Sequence, residues 1–393
     1  MSKLEVHRRS HGYESIHVSV KERLSHFTWA WFDCTMATGA IAVLLGQQPY
    51  TFPGLTAIGK IFFILDLVLF SLFCVLITCR FVMHPRALRL SLHHPHESFF
   101  FGAFWVSISS ILYSAQLYGV PSCGPWLVTA LRVLFWMYAT CALLIVIFQY
   151  HVIFDEEELP VADAMPAWIL PAYPFLVLGP LAAILEYSQP QQYGIPILIG
   201  GLIFEGLGWS VAFIMYTVYF TRLASNGLPE PSKRPGMFVA VGPAGYTATT
   251  LAALGSQAPR IIPHDYLGIT SEVPVGDLWK GFSVPAAMFV WLLGFWFFAL
   301  ALWSCLRGAR QMHFTLSWWA FVFPNAGLTL GVIKIANAID SEKMKGVVSG
   351  MTLLLVIVWV GVAIMNVRAV WMRQILWPGR DEDLEELEEH RAS

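Results

Sequence analysis

The chain has 393 residues, of which 56% are hydrophobic and only 13% charged, and its formal charge is −2. Water-facing domains carry about 25% charged residues, so most of this chain does not face water; 15% aromatic residues with 16 tryptophans also exclude a disordered or fibrous protein. A general nucleic-acid binder would need a basic face, and an integral membrane protein is what remains.

Residues 1–25 are polar and hold no hydrophobic core, so no cleaved signal peptide is expected and the first membrane helix directs insertion. A spanning helix needs about 20 mostly apolar residues. Ten such runs follow, at about 26–46, 57–79, 99–118, 126–150, 166–186, 196–221, 236–257, 279–306, 314–338 and 346–371. Turn chemistry separates them at Gln47-Gln48-Pro49, His84-Pro85, Pro121 to Pro125, Gln189 to Tyr193 and Pro229 to Pro235. The expected fold is an all-α integral membrane protein of ten transmembrane helices in five hairpins. The short alternating segments of a membrane β-barrel are not visible.

Seventeen Lys and Arg, among them Lys21, Arg80, Arg222, Arg234 and Arg307, fall on one side of such a chain. Five fall on the other: Lys60, Arg260, Lys280, Lys343 and Lys345. The positive-inside rule then puts both termini in the cytosol. Three parts are expected: a cytosolic segment 1–25, the ten-helix membrane domain 26–371, and a cytosolic tail 372–393 whose acidic run Asp381 to Glu389 is solvated.

Small, polar and helix-bending residues gather in the odd-numbered runs. These include Thr28, Thr35, Thr38 and Gly39; Ser107, Ser109, Ser110 and Ser114; Pro166, Pro171, Pro174 and Pro180; Gly242, Pro243, Gly245, Tyr246 and Thr249; and Pro324, Asn325, Gly327 and Gly331. Runs 2, 4 and 8 are mostly bulk, and run 6 mixes bulk with Gly200, Gly201, Gly206, Gly208 and Glu205. Kinked backbone at membrane depth is tolerated where it is buried or lines a cavity. The odd helices are therefore expected to form a central pore with the even ones outside. At about 100° per residue, Thr35 and Thr38 share a face, as do Ser107 and Ser110, Tyr246 and Thr249, and Phe323, Lys334 and Asn337. Tight helix packing is the competing reading of each stripe.

Charges inside a bilayer are costly and rare. Arg132 and Glu186 lie near helix ends and can snorkel. Asp33 and Asp66 are expected to pair with neighbouring helices. Glu205 suits either packing or a proton-linked role, and Lys334 either draws anions or snorkels. His93, His94, His96 and Glu97 lack a second cluster at ligand spacing, so no metal site is expected, and His96-Glu97 reads as a helix start. The six cysteines form no CxxC pair and read as small buried hydrophobes. No phosphate loop, GxSxG elbow or HExxH motif is present, so neither an enzyme nor a cofactor is expected.

Four segments together carry a family resemblance. They are Phe27-Thr-Trp-Ala-Trp-Phe-Asp-Cys-Thr-Met-Ala-Thr-Gly39, His94-Pro-His-Glu-Ser-Phe-Phe-Phe-Gly102, Met237-Phe-Val-Ala-Val-Gly-Pro-Ala-Gly-Tyr-Thr247 and Trp318-Trp-Ala-Phe-Val-Phe-Pro-Asn-Ala-Gly327. Over about residues 20–375 the chain resembles the tellurite-resistance/dicarboxylate transporter family, which includes the slow anion channels. Its Phe-Thr-Trp-Ala and Phe-Val-Phe-Pro-Asn versions look most like those of the fungal C4-dicarboxylate/malic-acid permeases. The resemblance implies a homotrimer with one five-helix pore per protomer and a gating phenylalanine, which here is Phe323. It also implies a plasma-membrane transporter of malate, succinate and related anions, proton-linked or monoanion-selective. A sulfite exporter or small-anion channel is the alternative. The expected path residues are Thr35, Thr38, Ser107, Ser110, Tyr246, Thr249, Lys334 and Asn337; the expected partners are the dicarboxylate anion, protons and the lipid bilayer.

Overall fold

The computed structural model describes residues 19–93, 95–156, 159–269 and 272–377. Residues 1–18 of the polar start, His94 and the acidic run Asp381 to Glu389 lie outside the described residues. Apart from the turns and loops that connect them, the described residues form helices. Ten rods follow the apolar runs: α1 (Trp29–Gly46), α2 (Leu55–Met83), α3 (Phe101–Ser114), α4 (Pro125–Glu156), α5 (Pro166–Glu186), α6 (Gln191–Asn226), α7 (Pro231–Ile261), α8 (Val275–Gly308), α9 (Leu316–Ala338) and α10 (Glu342–Trp371). Nine of them are long and apolar enough to cross a membrane among the described residues. The run expected at 99–118 differs, because α3 passes into a π-helical turn, Ala115–Gly119, and then a short α-turn, Val120–Cys123. The stretch after His84, expected to be a turn, folds into the short helices Pro85–His93 and Pro95–Ser98.

Burial divides the rods. In their most apolar stretches α1, α5 and α7 are 94% buried and α9 is 89% buried, whereas α2, α4, α6, α8 and α10 lie between 17% and 39%. α3 buries Ala103, Val106, Ser107, Ser109, Ser110 and Ser114. A helix whose apolar side chains face outward needs lipid around it, and Ile64, Phe148, Phe213, Phe289 and Leu353 are such side chains on the five poorly buried rods.

The two groups also differ in backbone. The poorly buried rods are continuous α-helices of 29 to 36 residues. Four buried rods instead open with a 3₁₀ stretch: Trp29–Trp31, Pro166–Ala172, Pro231–Ala240 and Leu316–Phe321. The prolines at 166, 171, 231 and 235 explain two of these, since each removes a donor and clashes with the preceding α-turn. All four stretches lie at the arginine-rich end of the molecule.

That end is held by a buried ion pair. Arg80, at the end of α2, meets the carboxylate of Glu97 with both guanidinium nitrogens, and its Nη1 also donates to the Phe27 carbonyl at 3.1 Å. The helix-start segment at Glu97 thereby anchors the entry of α1. Ser91 Oγ adds a bond from Trp29 Nε1 at 3.2 Å. At the opposite end Arg260 of α7 reaches both carboxylate oxygens of Glu186 of α5 at 2.7 and 2.6 Å. Glu186 is thus paired instead of snorkelling, and Arg132 stacks on the Tyr193 ring at 3.6 Å. In the α9–α10 turn a hydrogen bond from Lys345 (2.7 Å) holds the Asp340 carboxyl below its ordinary range. Of the cysteines, Cys34 and Cys305 are buried, but Cys79 and Cys123 are exposed because α2 and the turn after α3 face outward there.

Breaking the Arg80–Glu97 pair leaves one buried charge alone. Glu97→Ala should therefore lose about 3–5 kcal/mol of stability, while the double change Arg80→Met with Glu97→Leu should lose far less. Chemical unfolding of the detergent-purified variants measures the difference.

Candidate functional site

The chemistry gathers where the 3₁₀ stretches give way to α-helix. Such a change of pitch leaves nearby carbonyls with poorer intrahelical partners, and no water is at hand in a bilayer interior to replace them. Side-chain hydroxyls take that role on all four rods. On α1 the Phe32 carbonyl accepts from Thr35 Oγ1 at 2.9 Å and from Ser107 Oγ of α3 at 3.3 Å. On α5 the Pro174 carbonyl accepts from Tyr138 of α4 at 3.3 Å. On α7 Val239 and Ala240 accept from Tyr173 of α5 at 2.5 Å and Tyr216 of α6 at 2.7 Å. On α9 the Phe323 carbonyl accepts from Tyr246 of α7 at 3.2 Å.

Phe323 is the first residue of the α-helical part of α9 and is 1% exposed. Its ring stacks on Tyr246 (centroids 5.0 Å apart, planes at 30°) and leans on Tyr173 at 5.9 Å. Next to it lies a cavity to which α1, α3, α5, α7 and α9 all contribute, with Ala40, Ser110, Tyr113, Pro180, Tyr246, Phe323 and Leu330 in its wall. Among the described residues no charged side chain lines it. Its volume of about 30 Å³ holds a water and falls far short of the roughly 300 Å³ of an ordinary ligand pocket.

α7 and α9 approach more closely than ordinary helices. A Cβ on Gly245 would fall on the backbone of Gly327 and Leu328, and one on Gly327 would meet the Tyr246 ring at 2.6 Å. Gly331 continues the seam, with the Gly245 carbonyl at 3.2 Å from its would-be Cβ. Trp291 of α8 closes it from outside through a bond to the Leu328 carbonyl at 2.9 Å. Small residues thus serve packing along this seam, while Tyr246 is left to face the cavity.

The expected path residues separate accordingly. Ser110, Tyr246 and Phe323 come together at the cavity. Thr35 and Ser107 bond each other at 2.8 Å and cap Phe32. Thr38 bonds the Cys34 carbonyl and accepts from Trp359 of α10, so it faces away from the cavity. Thr249 bonds the Gly245 and Gly327 carbonyls inside the α7–α9 seam. Lys334 donates to Gln47 at 2.5 Å near the far end of α9, and Asn337 is exposed beyond it. Tyr113 and Tyr173 were not singled out from sequence, although buried tyrosines flanking a serine stripe or a proline run need hydroxyl partners. The acids separate as well: Glu205 accepts from Thr247 Oγ1 at 2.7 Å, whereas Asp66 has no hydrogen-bond partner on either carboxyl oxygen among the described residues, contrary to the pairing expected of it.

Residues 26–367 match the SLAC1 family, described as voltage-dependent anion channel. The chain is 34% identical over 93% of its length to a malic acid transport protein of Schizosaccharomyces pombe, covering 84% of that protein. It is 32% identical over 94% of its length to a putative malic acid transport protein of the same organism, covering 85%. A sulfite efflux pump of Arthroderma benhamiae is 27% identical over 81% of the chain and is covered to 84%.

The hydroxyl caps make a specific expectation. Tyr173→Phe keeps the ring and strips the Val239 carbonyl of its donor, and should cost about 1–3 kcal/mol. The same change at the exposed Tyr187 should cost almost nothing. Thermal unfolding in detergent compares the two.

Proposed function

We propose that this chain, which belongs to the SLAC1 voltage-dependent anion channel family, carries malate and related C4-dicarboxylates across the plasma membrane through a pore gated by Phe323. The family makes it a membrane anion transporter and not an enzyme. The dicarboxylate assignment rests on the 34% identity to a malic acid transport protein over nearly the whole chain. In this reading the odd helices α1, α3, α5, α7 and α9 surround the path and the even ones face lipid. The burial of four of the five and the five-sided cavity support it. The arginine-rich end faces the cytosol, as do both termini, and three chains assemble through their outward-facing even helices, each with its own pore.

An aromatic ring in a narrow passage offers a carboxylate only its positive edge, so passage requires the Phe323 ring to turn aside. Pro324 lacks a backbone donor and Gly327 has no side chain, which eases that movement. Lys334 then attracts anions at the outer mouth, and a dicarboxylate is desolvated more cheaply as the monoanion, so uptake is proton-linked or selects the partly protonated acid. A sulfite exporter is the second reading, favoured by the 27% identity to a sulfite efflux pump and by a mostly apolar cavity wall with a few hydroxyls and no cation, which binds a small anion weakly enough to release it.

Labelled malate uptake into vesicles, competed with succinate, sulfite and chloride in acidic and neutral medium, separates the two. Malate uptake blocked by succinate but not by sulfite supports the first. Phe323→Ala should raise flux per inserted molecule or loosen selectivity; a packing role predicts instead a loss of about 3–5 kcal/mol and poor insertion. Lys334→Ala should weaken apparent affinity for dianions more than for monoanions. A mass in detergent of three chains with lipid checks the assembly, and a fully active monomer would refute it.

A further inference from the structure

Between the arginine-rich ends of α4 and α6 lies a second cavity of about 310 Å³, the size at which ordinary ligand pockets begin, roughly 300 Å³. α4 gives it Ile153 and Phe154, α6 gives Met215 and Val218, and the 3₁₀ opening of α5 gives Trp168. Phe99, buried and stacked on Trp168 with centroids 6.3 Å apart, forms its floor. The outer edge is open, since Phe154 is 64% exposed and Val161, on the connection from α4 to α5, is 51% exposed. Tyr150 of the same wall donates its hydroxyl to the Trp168 carbonyl at 3.0 Å, so these two polar groups satisfy each other. Among the described residues no charged side chain lines the cavity. A wall of this kind takes hydrocarbon and offers an anion nothing.

Charge begins just beyond the wall. Met215, Val218 and Arg222 share one face of α6, at steps of three and four residues. Arg222 Nε donates to the Ala162 carbonyl at 3.2 Å, beside the wall residue Val161, and its Nη1 donates to the Gly227 carbonyl at 2.7 Å. Two backbone acceptors thus fix the guanidinium at the rim and leave Nη2 for an outside acceptor. Asp155 follows Phe154 in the chain and Asp163 stands two residues beyond Val161, and both are exposed. The rim therefore carries both signs of charge around an apolar recess that opens on lipid-facing rods.

We propose that this cavity binds a phosphatidylethanolamine from the leaflet at the arginine-rich end. One acyl chain enters between α4 and α6 as far as Phe99, Arg222 holds the phosphate, and Asp155 and Asp163 hold the ammonium group. A guanidinium gives a phosphate charge-assisted hydrogen bonds, and an ammonium has N–H donors for carboxylates. An acidic headgroup would bring its excess charge against the two aspartates, and a choline has no N–H to give them. The site is independent of which anion the chain carries.

The test places the full chain in phosphatidylcholine bilayers with a trace of phosphatidylethanolamine that bears a photoactivatable diazirine near the end of one acyl chain. Mass spectrometry then identifies the labelled segments. Labelling should concentrate on residues 150–154 and 215–218, well above that on the outward faces of α2 and α10. Unlabelled phosphatidylethanolamine should suppress it, and an equal amount of phosphatidylglycerol should not. Arg222→Gln should lower the wall labelling about tenfold, Arg222→Lys should retain most of it, and Asp155→Asn with Asp163→Asn should let phosphatidylglycerol compete. Met215→Trp should fill the cavity and remove the wall labelling while α2 and α10 are labelled as before. Added phosphatidylethanolamine should also raise the melting temperature of the native chain in detergent and leave that of Met215→Trp unmoved. Wall labelling no stronger than on α2 and α10, as a second copy or a terminal segment of this chain seated in the cavity would produce, overturns the inference. So does equal competition by phosphatidylglycerol in the native chain, or labelling unaltered in Arg222→Gln.

Discussion

The structure depends on one constraint: a backbone carbonyl in a bilayer interior must find its partner within the protein. Continuous α-helices meet it by themselves, and the poorly buried rods are of that kind. The buried rods change pitch partway, and there hydroxyls from Thr35, Ser107, Tyr138, Tyr173, Tyr216 and Tyr246 supply the missing donors. Each bond except that from Thr35 crosses from one rod to another. The requirement of the backbone thus becomes a tertiary tie, and it sets the depth at which neighbouring rods are locked together.

The same ties position the aromatic pair beside the cavity. Tyr246 holds the Phe323 carbonyl with its hydroxyl and the Phe323 ring with its face. It reaches both because Gly245 and Gly327 let α7 and α9 approach to backbone contact. Close packing of small residues drives helix association in lipid, where the hydrophobic effect offers no net gain. Helix packing and the cavity therefore share residues here: the glycines that make the seam also bring the aromatic stack to the cavity.

Charge is distributed by the same logic. Desolvation keeps the cations at the rims, where Arg80 meets Glu97, Arg260 meets Glu186, and Lys334 meets Gln47. Among the described residues the cavity wall is aliphatic and aromatic with a few hydroxyls and no full charge. The acids Asp66 and Glu205 are not part of that wall.

By itself the sequence determined that the chain is helical and membrane-spanning, where its rods lie, and which of them carry small and polar residues. Length, hydropathy and proline placement decide these locally. It also placed Phe323, Tyr246 and Ser110 on faces that the folded chain brings to one cavity. Tertiary structure decided the direction of each hydroxyl. Thr35, Thr38, Ser107 and Thr249 have the spacing of a path-lining stripe, but a hydroxyl among helices turns to the nearest acceptor, and which carbonyl lacks a partner depends on where neighbouring rods change pitch. The inward turn of Asp66 was hidden for a related reason. Its helix reads as a lipid-facing one, and only the missing side chain at Gly39, on a different helix, makes room for the carboxyl.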